Sequence, residues 1–152
     1  KALILDCDNT LWKGIIGEDG FDNIEMSSKT EIGQIFKEIQ ILINPPLKEA
    51  ELFVLIGKKE VWGHHYGQIA VLLLLDFAFL EIALHRVWVD VPEYNHIALH
   101  LFKRLGFTIE GSLRSTHLLN GDWKNSTVLG LLEDEYSRRR TGMWNKIMVV
   151  PT

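Results

Sequence analysis

A glycine-containing loop at residues 62–68 has the residue types of a phosphate-binding turn. It lies between an apolar segment that predicts a strand and an apolar segment that predicts a helix. Backbone N–H groups at a helix N-terminus attract anions, and glycine lets the backbone approach phosphate oxygens closely. These features are compatible with a pyrophosphate-binding loop. On the seven residues alone an ordinary glycine-containing turn is favoured, because short glycine motifs match many unrelated sequences.

Three apolar segments before this loop predict strands. The first is Ala2–Leu5, the second alternates apolar and polar residues over 32–43, and the third is 51–56. The second segment ends before Pro45 and Pro46, which the interior of a strand does not accept. The chain therefore reaches the loop from a sheet.

The segments after the loop predict helices that alternate with strands. Residues 68–84 contain no helix breaker and predict a largely buried helix, and residues 86–91 predict a strand. Asn95 predicts the N-cap of a second helix that runs through Leu105, with Gly106 at its C-cap. Each of these helices thus follows a strand, and the first is separated from its strand by the glycine-containing loop.

The dipeptide Asn120-Gly121 predicts a β-hairpin, because it favours the tight turn that joins antiparallel strands. We expect it to pair residues 115–119 with residues 127–132. Residues 107–110 are also expected to be extended, and no clear period follows residue 136.

Several separated segments, in order, resemble the GNAT family of acetyl-CoA-dependent N-acetyltransferases, and more narrowly its RimJ/RimL-like branch. The matching segments are residues 50–57, 62–67, 95–98, 105–107 and 110–114. The resemblance covers residues 31–136 and implies an α/β fold with a mixed, largely antiparallel twisted sheet and flanking helices. It also implies that the N-terminal elements of the family are missing or replaced.

The resemblance implies an acetyl-CoA site where two neighbouring strands diverge. In the family, the strand that matches residues 51–56 splays from the strand that matches 86–91, and the pantetheine arm bonds into the gap like an added strand. The implied cofactor-binding residues belong to this strand, to the loop and to the start of the second helix: Val54, Leu55, Ile56, Gly63, His64, His65, Tyr66, Gly67, Gln68 and Asn95.

The resemblance also implies the catalytic residues. Glu51 matches a strand carboxylate that relatives use to deprotonate the acceptor amine, and the alternative is an ordinary surface glutamate. Phe102 stands where many relatives have a tyrosine that protonates the leaving thiolate, and phenylalanine cannot donate a proton. Water, Tyr66 or Tyr94 would then supply this proton, and we assign it to Tyr94. His65, where the family usually has glycine, is a second departure.

Two aspartates, Asp6 and Asp8, follow the first apolar segment. With Thr10 they resemble the DxDxT motif of haloacid-dehalogenase-like phosphatases, and residues 2–27 resemble the FkbH-like branch. In that chemistry Asp6 would attack phosphorus or a carbonyl carbon, Asp8 would act as acid and base, and both would hold Mg²⁺. No later segment supplies the other catalytic residues of that family. We therefore expect a polar strand end and predict no metal site.

Composition excludes several classes of protein. The 152 residues suit one ordinary domain, and 47% hydrophobic with 24% charged residues argues against disorder. A net charge of −4 argues against general nucleic-acid binding, and the longest apolar segment, 69–75, is too short to span a membrane. The single Cys7 favours a reducing compartment. We expect a soluble, cytoplasmic protein.

Three other patterns are assigned to structure or to contacts. His96 and His100 lie four residues apart on a predicted helix, but no HExxH-type carboxylate accompanies them, so we expect surface histidines. Arg138 to Arg140 is expected to be a solvated run of charge. Trp123 lies beside the hairpin turn, which in relatives is near the acceptor or a dimer contact.

These observations predict three segments: a phosphatase-like segment at 1–30, an acetyl-CoA-binding domain at 31–137 and a C-terminal tail at 138–152. The first segment belongs either to a larger phosphatase-like unit or adds its first strand to the edge of the sheet.

The predicted function is acetyl transfer from acetyl-CoA to a primary amine, either a protein or peptide α-amine or an amino sugar. The alternatives are a non-catalytic acyl-CoA-binding module and a Mg²⁺-dependent phosphatase or acyl-handling protein that uses Asp6 and Asp8. The expected partner is an amine-bearing small molecule or a protein N-terminus, not a nucleic acid or a membrane, and a homodimer is one option for assembly.

Overall fold

The computed structural model describes residues 2–5, 36–56 and 66–148. Six strands and three α-helices make up the described ranges. The strands are β1 (Ala2–Leu5), β2 (Phe36–Asn44), β3 (Glu49–Ile56), β4 (Arg86–Pro92), β5 (Thr108–Leu119) and β6 (Asp122–Leu132). The α-helices are α1 (Tyr66–Asp76), α2 (His96–Arg104) and α3 (Glu133–Met148). Two short helical segments of other types are Pro45–Leu47, a 3₁₀-helix, and Phe77–Glu81, a π-helix.

The strands form a single mixed sheet in the order β1-β2-β3-β4-β6-β5. β3 and β4 are parallel, and every other neighbouring pair is antiparallel. The predicted mixed, largely antiparallel sheet is therefore confirmed. β1 pairs with β2, from Ala2 opposite Leu42 to Leu5 opposite Ile39, so the first strand does lie at the edge of this sheet.

One face of the sheet carries the hydrophobic core. Along β4, the residues Val87, Val89 and Val91 are buried and their neighbours are only partly buried, which is the alternation expected of a strand. α1 packs into this core with apolar residues on most of its surface, since Val71, Leu72, Leu74 and Leu75 are each at most 1% exposed. The buried residues that line this core also include Ile41, Ala50, Leu52, Ala70, Leu105, Leu129, Leu131 and Tyr136.

The first helix is confirmed as largely buried, but its bounds differ from the prediction. It begins at Tyr66, so Gly67 and Gln68 lie in its first turn and not in a loop. It is α-helical only to Asp76 and continues as the π-helix Phe77–Glu81, so it ends before residue 84. The backbone N–H of Ile82 bonds to the carbonyl of Phe77, five residues back instead of four, which widens this last turn.

The second helix, α2, begins at the predicted N-cap, and its C-cap lies one residue before the predicted one. Asn95 is the N-cap, and its side-chain oxygen accepts a 3.1 Å hydrogen bond from the backbone N–H of Ala98. The C-cap is Leu105, and Gly106 follows with φ +87°, in the left-handed region that favours glycine. The predicted C-cap at Gly106 is therefore wrong by one position.

The hairpin forms at the predicted turn, with a different register. Asn120 and Gly121 have φ values of 52° and 86°, as a tight turn between twisted strands requires. Leu119 pairs with Asp122 and His117 with Lys124, whereas the segment 127–130 pairs with 108–112. The predicted pairing of 115–119 with 127–132 is wrong, because a two-residue turn brings the residues directly beside it into register.

The C-terminal residues form a helix where an irregular tail was predicted. α3 begins at Glu133 and runs to Met148, across the predicted boundary at residue 138. Tyr136 and Met143 are buried, so the helix is stabilised by packing that the local pattern does not display. None of the helices in the described ranges has the length and apolar character that a bilayer span requires.

The arginine run is only partly a solvated charge run. Arg138 is exposed and pairs with Asp134 one turn away, at 2.8 Å. Arg140, in contrast, bonds to Asp76 at the end of α1 through two nitrogens, at 2.5 and 2.8 Å. The expectation of a solvated run is wrong for Arg140, because the fold brings a carboxylate from a distant helix against it.

Candidate active site

The parallel strands β3 and β4 pair over only three residues. The register is Glu49 with Arg86, Ala50 with Val87 and Glu51 with Trp88. Both strands continue beyond this point, because β3 pairs with β2 as far as Ile56 and β4 pairs with β6 as far as Pro92. The two strands therefore diverge after Glu51, and the splay that the family resemblance implied is present.

Glu51 lies at the mouth of this splay. The neighbouring residues Ala50 and Leu52 are buried in the core, so the Glu51 side chain lies on the opposite face of the sheet, where it is partly buried. Burial raises the pKa of Glu51, and the negative charge of Asp90 raises it further. A carboxylate with a raised pKa is better suited to accept a proton from an amine.

Asp90 is the site residue that sequence reasoning missed. Its Oδ1 atom is buried and has no hydrogen-bond partner among the described residues. A lone aspartate in a strand gives no signal in the sequence, because its importance depends on which groups the neighbouring strand brings near it. The register of β3 against β4 pairs Glu51 with Trp88, two residues before Asp90.

An ion-pair network supports the paired end of these strands. Arg86 bonds to Glu49 through Nη1 at 2.9 Å and to Glu110 on β5 through Nη2. Burial alone lowers the pKa of Arg86, but the bonds to Glu110 and Glu49 outweigh burial and raise it. The guanidinium thus ties β3, β4 and β5 together just before the strands separate.

The open edge of β3 contains the three predicted strand residues, Val54, Leu55 and Ile56. Their partners on β2 are Ile39, Glu38 and Phe36, so only the side toward β4 is left without a neighbouring strand in the described part of the chain. An unpaired strand edge binds an extended ligand through its backbone groups. This edge fits a pantetheine arm.

The start of α1 brings together the predicted phosphate-binding residues that the structure describes. Tyr66 is the first residue of α1, and Gly67 and Gln68 are buried in its first turn. A helix N-terminus offers free N–H groups to an anion. Gly63, His64 and His65 lie outside the described residues, so their predicted contacts remain predictions.

Asn95 and Tyr94 lie between β4 and α2. The Asn95 side-chain oxygen caps α2, which leaves its NH₂ group as a donor for a ligand. Tyr94 is 42% exposed. Neither position contradicts the predicted roles in cofactor binding and in protonation of the thiolate, and both roles stay predictions.

Phe102 belongs to the core. It is 6% exposed and packs edge to face against Phe107, with ring centroids 5.2 Å apart. This position therefore contributes hydrophobic packing, and the ring has no group that donates a proton.

The structure describes the histidine pair but not the two N-terminal aspartates. His96 and His100 are exposed, as expected. Within the described ranges no group of three or more His, Cys, Asp or Glu residues is arranged to hold a metal ion. Asp6 and Asp8 lie outside these ranges, so the phosphatase-like reading stays a prediction.

A family model described as an acetyltransferase (GNAT) domain matches residues 8–108 of the chain, which is about two thirds of its length. The chain therefore belongs to the GNAT family. Acetyltransferases of this family use acetyl-CoA as the acyl donor.

Curated relatives with similar sequences are spermidine N(1)-acetyltransferases. The protein from Escherichia coli is 28% identical over 94 residues, which cover 62% of this chain and 50% of that protein. The protein from Vibrio cholerae is 28% identical over 116 residues, which cover 76% of this chain and 65% of that protein. The chain thus spans half to two thirds of the length of these relatives.

Solved structures agree with the sequence relatives. The spermidine/spermine N-acetyltransferase SpeG from Vibrio cholerae superposes with a TM-score of 0.62 and 26% identity, over 66% of this chain and 59% of that one. A chimera of this enzyme and hSSAT superposes with a TM-score of 0.63 and 26% identity, over 66% and 61%.

Proposed function

We propose that the chain transfers an acetyl group from acetyl-CoA to a primary amine, with Glu51 as the proton acceptor. The observation that carries this proposal is the divergence of β3 from β4 beside a partly buried carboxylate whose pKa is raised. A donor site and a base are thereby adjacent. We assign the chain more narrowly to the RimJ/RimL-like branch.

The donor side of the proposed site consists of backbone groups. The open edge of Val54, Leu55 and Ile56 holds the pantetheine arm, and the residues before and within the first turn of α1 hold the pyrophosphate. The residues proposed for the pyrophosphate are Gly63, His64, His65, Tyr66, Gly67 and Gln68, and Asn95 donates from its side-chain NH₂ group. When bound, acetyl-CoA supplies a thioester carbonyl that is activated toward nucleophiles.

The acceptor side depends on proton transfer. An alkylammonium group has no free electron pair, so a base must remove one proton before the nitrogen reacts. Glu51 accepts this proton, and Tyr94, which is exposed to solvent, donates a proton to the departing sulfur. Phe102 cannot do so from the core.

We propose a polyamine as the first acceptor to test, since the named relatives are spermidine N(1)-acetyltransferases. A carboxylate at the mouth of the site suits an acceptor that arrives as a cation. A peptide α-amine and an amino sugar remain the other acceptor classes, and a cytoplasmic homodimer is the proposed form of the protein.

The test combines binding with turnover. Calorimetric titration of acetyl-CoA measures binding, and release of free thiol with spermidine, a peptide amine or an amino sugar measures transfer. We expect Glu51→Gln to bind acetyl-CoA normally and to lose a factor of about 10²–10⁴ in kcat/KM, as loss of a general base does. Glu81→Gln, an exposed position on the π-helix, is the matched control and keeps full activity. Full activity of Glu51→Gln contradicts the assignment of the base.

A second candidate function is a non-catalytic acyl-CoA-binding module. The core position of Phe102 favours it, because the proton donor of many relatives is replaced by packing. Binding of acetyl-CoA without thiol release for any of the amines supports this candidate, and absence of binding contradicts both.

A further inference from the structure

Asp90 carries a carboxylate oxygen that the fold leaves without a partner. Oδ1 has no solvent exposure and accepts no hydrogen bond from the described residues. A buried acceptor of this kind costs free energy, and the cost is greater for a charged group. Since an unpaired buried oxygen is not stabilising, its position in the sheet points to a role in function.

The register of the sheet brings Asp90 to the proposed base. Glu51 pairs with Trp88, and Asp90 is two residues further along β4, on the same face of the sheet as Trp88. Val89, between them, is buried in the core on the opposite face. The two carboxylates therefore border the splay from its two sides, one on each diverging strand.

None of the charged groups that the structure describes on this face is bonded to Asp90 Oδ1. Arg86 on β4 is already bonded to Glu49 on β3 and to Glu110 on β5. The neighbours across the sheet are uncharged, since Leu42 on β2 lies opposite Glu51 and Val128 on β6 lies opposite Asp90. Within the described part of the chain, the negative charge of Asp90 thus acts on Glu51 without a bonded cation at Oδ1.

We propose that Asp90 is a positioning residue for the acetyl transfer, and that its charge beside the splay makes Glu51 the carboxyl group that takes the proton of the acceptor amine. The inference rests on the proposed function. In the step, one N–H bond of the ammonium breaks, the proton binds Glu51, and the electron pair stays on nitrogen. Asp90 acts through Glu51 and forms no bond to the substrate.

The electrostatics of the site support this role. Burial is the larger cause of the raised pKa of Glu51, and the charge of Asp90 is the second. A stronger base removes the proton of an ammonium group more readily. Glu51 can therefore act as a base without complete burial, which would oppose access of a charged acceptor.

The first experiment measures the titration of Glu51 directly. Carboxyl carbon NMR of glutamate-labelled protein follows Glu51 in the wild type, in Asp90→Asn and in the control Asp122→Asn, which removes the same charge at an exposed position of the sheet. We expect the pKa of Glu51 to fall in Asp90→Asn and to stay unchanged in Asp122→Asn. An unchanged pKa in Asp90→Asn overturns the inference. Asp90→Ser repeats the test if the asparagine variant does not fold.

The second experiment measures the pH profile of kcat/KM with acetyl-CoA and spermidine. We expect the acidic limb of Asp90→Asn to move to lower pH and its plateau to fall by about tenfold or less, a smaller effect than loss of the base itself. In a Glu51→Gln background, Asp90→Asn has no further effect on activity. A similar loss in both backgrounds indicates a merely structural role and overturns the inference.

The two experiments separate failure of the inference from failure of the proposed function. If the wild type acetylates no amine while the NMR titration shows the expected shift, the proposed function fails. In that case the electrostatic coupling between Asp90 and Glu51 is real but has no role in catalysis. If acetylation proceeds and the titration is unchanged, only the role of Asp90 fails.

Discussion

Replacement of Tyr136 by phenylalanine tests how α3 is held against α1. The Tyr136 ring is fully buried, and its hydroxyl donates a 2.6 Å hydrogen bond to Asp76 Oδ1. Burial and the negative charge of Asp76 raise the pKa of Tyr136, so the hydroxyl stays protonated and remains a donor at any working pH. Tyr136→Phe removes this donor and keeps the ring.

The expected loss of stability follows from these contacts. A hydrogen bond to a charged group is worth about 1.5–3 kcal/mol. Asp76 keeps its bonds to Arg140 and some contact with solvent, which reduces the cost to about 1–2 kcal/mol. For a chain of this length that corresponds to a fall in Tm of about 2–8 °C. No ring-sized cavity forms, so the 3–5 kcal/mol typical of deleting a whole aromatic side chain is not expected.

Urea denaturation of the wild type, Tyr136→Phe, Arg140→Gln and the double variant measures the effect. Both side chains bond to Asp76, so we expect a coupling free energy of at least about 0.5 kcal/mol. A loss below about 0.3 kcal/mol in Tyr136→Phe, or strictly additive losses, would refute the view that Asp76 anchors α3 through a shared network.

Two further predictions concern Glu51 and Gly130. Because the folded pKa of Glu51 is raised above its ordinary value of 4.5, stability falls as pH rises through that range. In urea denaturation at pH 7, the free energy of unfolding of Glu51→Gln is therefore expected to exceed that of the wild type by less than about 1 kcal/mol. At pH 3 the two proteins are expected to be equally stable. A Glu51→Gln variant that is less stable than the wild type at pH 7 contradicts the raised pKa. In Gly130→Ala the new methyl group meets the Glu110 carboxylate and displaces it from Arg86, at a cost of up to about 1 kcal/mol. Thermal denaturation should show no such cost in a Glu110→Ala background, and an equal cost there contradicts the predicted clash.

Local sequence signals were sufficient for most elements of the sheet and for the capped helix. Alternation identified β2, and Asn95 and the dipeptide Asn120-Gly121 marked a helix start and a turn. These signals work because the side-chain period of a strand, an N-cap hydrogen bond and a positive φ are properties of a few consecutive residues. The splay at Glu51 followed from resemblance to a family and not from any local pattern.

The errors occurred where distant residues decide. α3 was expected to be a tail, because its stability comes from burial of Tyr136 and from Asp76 on another helix. The arginine run was expected to be solvated for the same reason. The length of the apolar segment also did not show that α1 changes to a π-helical turn at Phe77.

The candidate site also combines features that the local sequence determines with features that only the tertiary structure determines. The sequence by itself determined that Glu51 lies in an apolar strand and that a loop with glycines precedes a helix, because both are local facts. Only the tertiary structure decided that β3 and β4 pair for three residues and then part, and that Asp90 borders the gap beside Glu51. Pairing of two strands separated by a long helix is set by the packing of the whole core, and no short segment of the sequence contains that information.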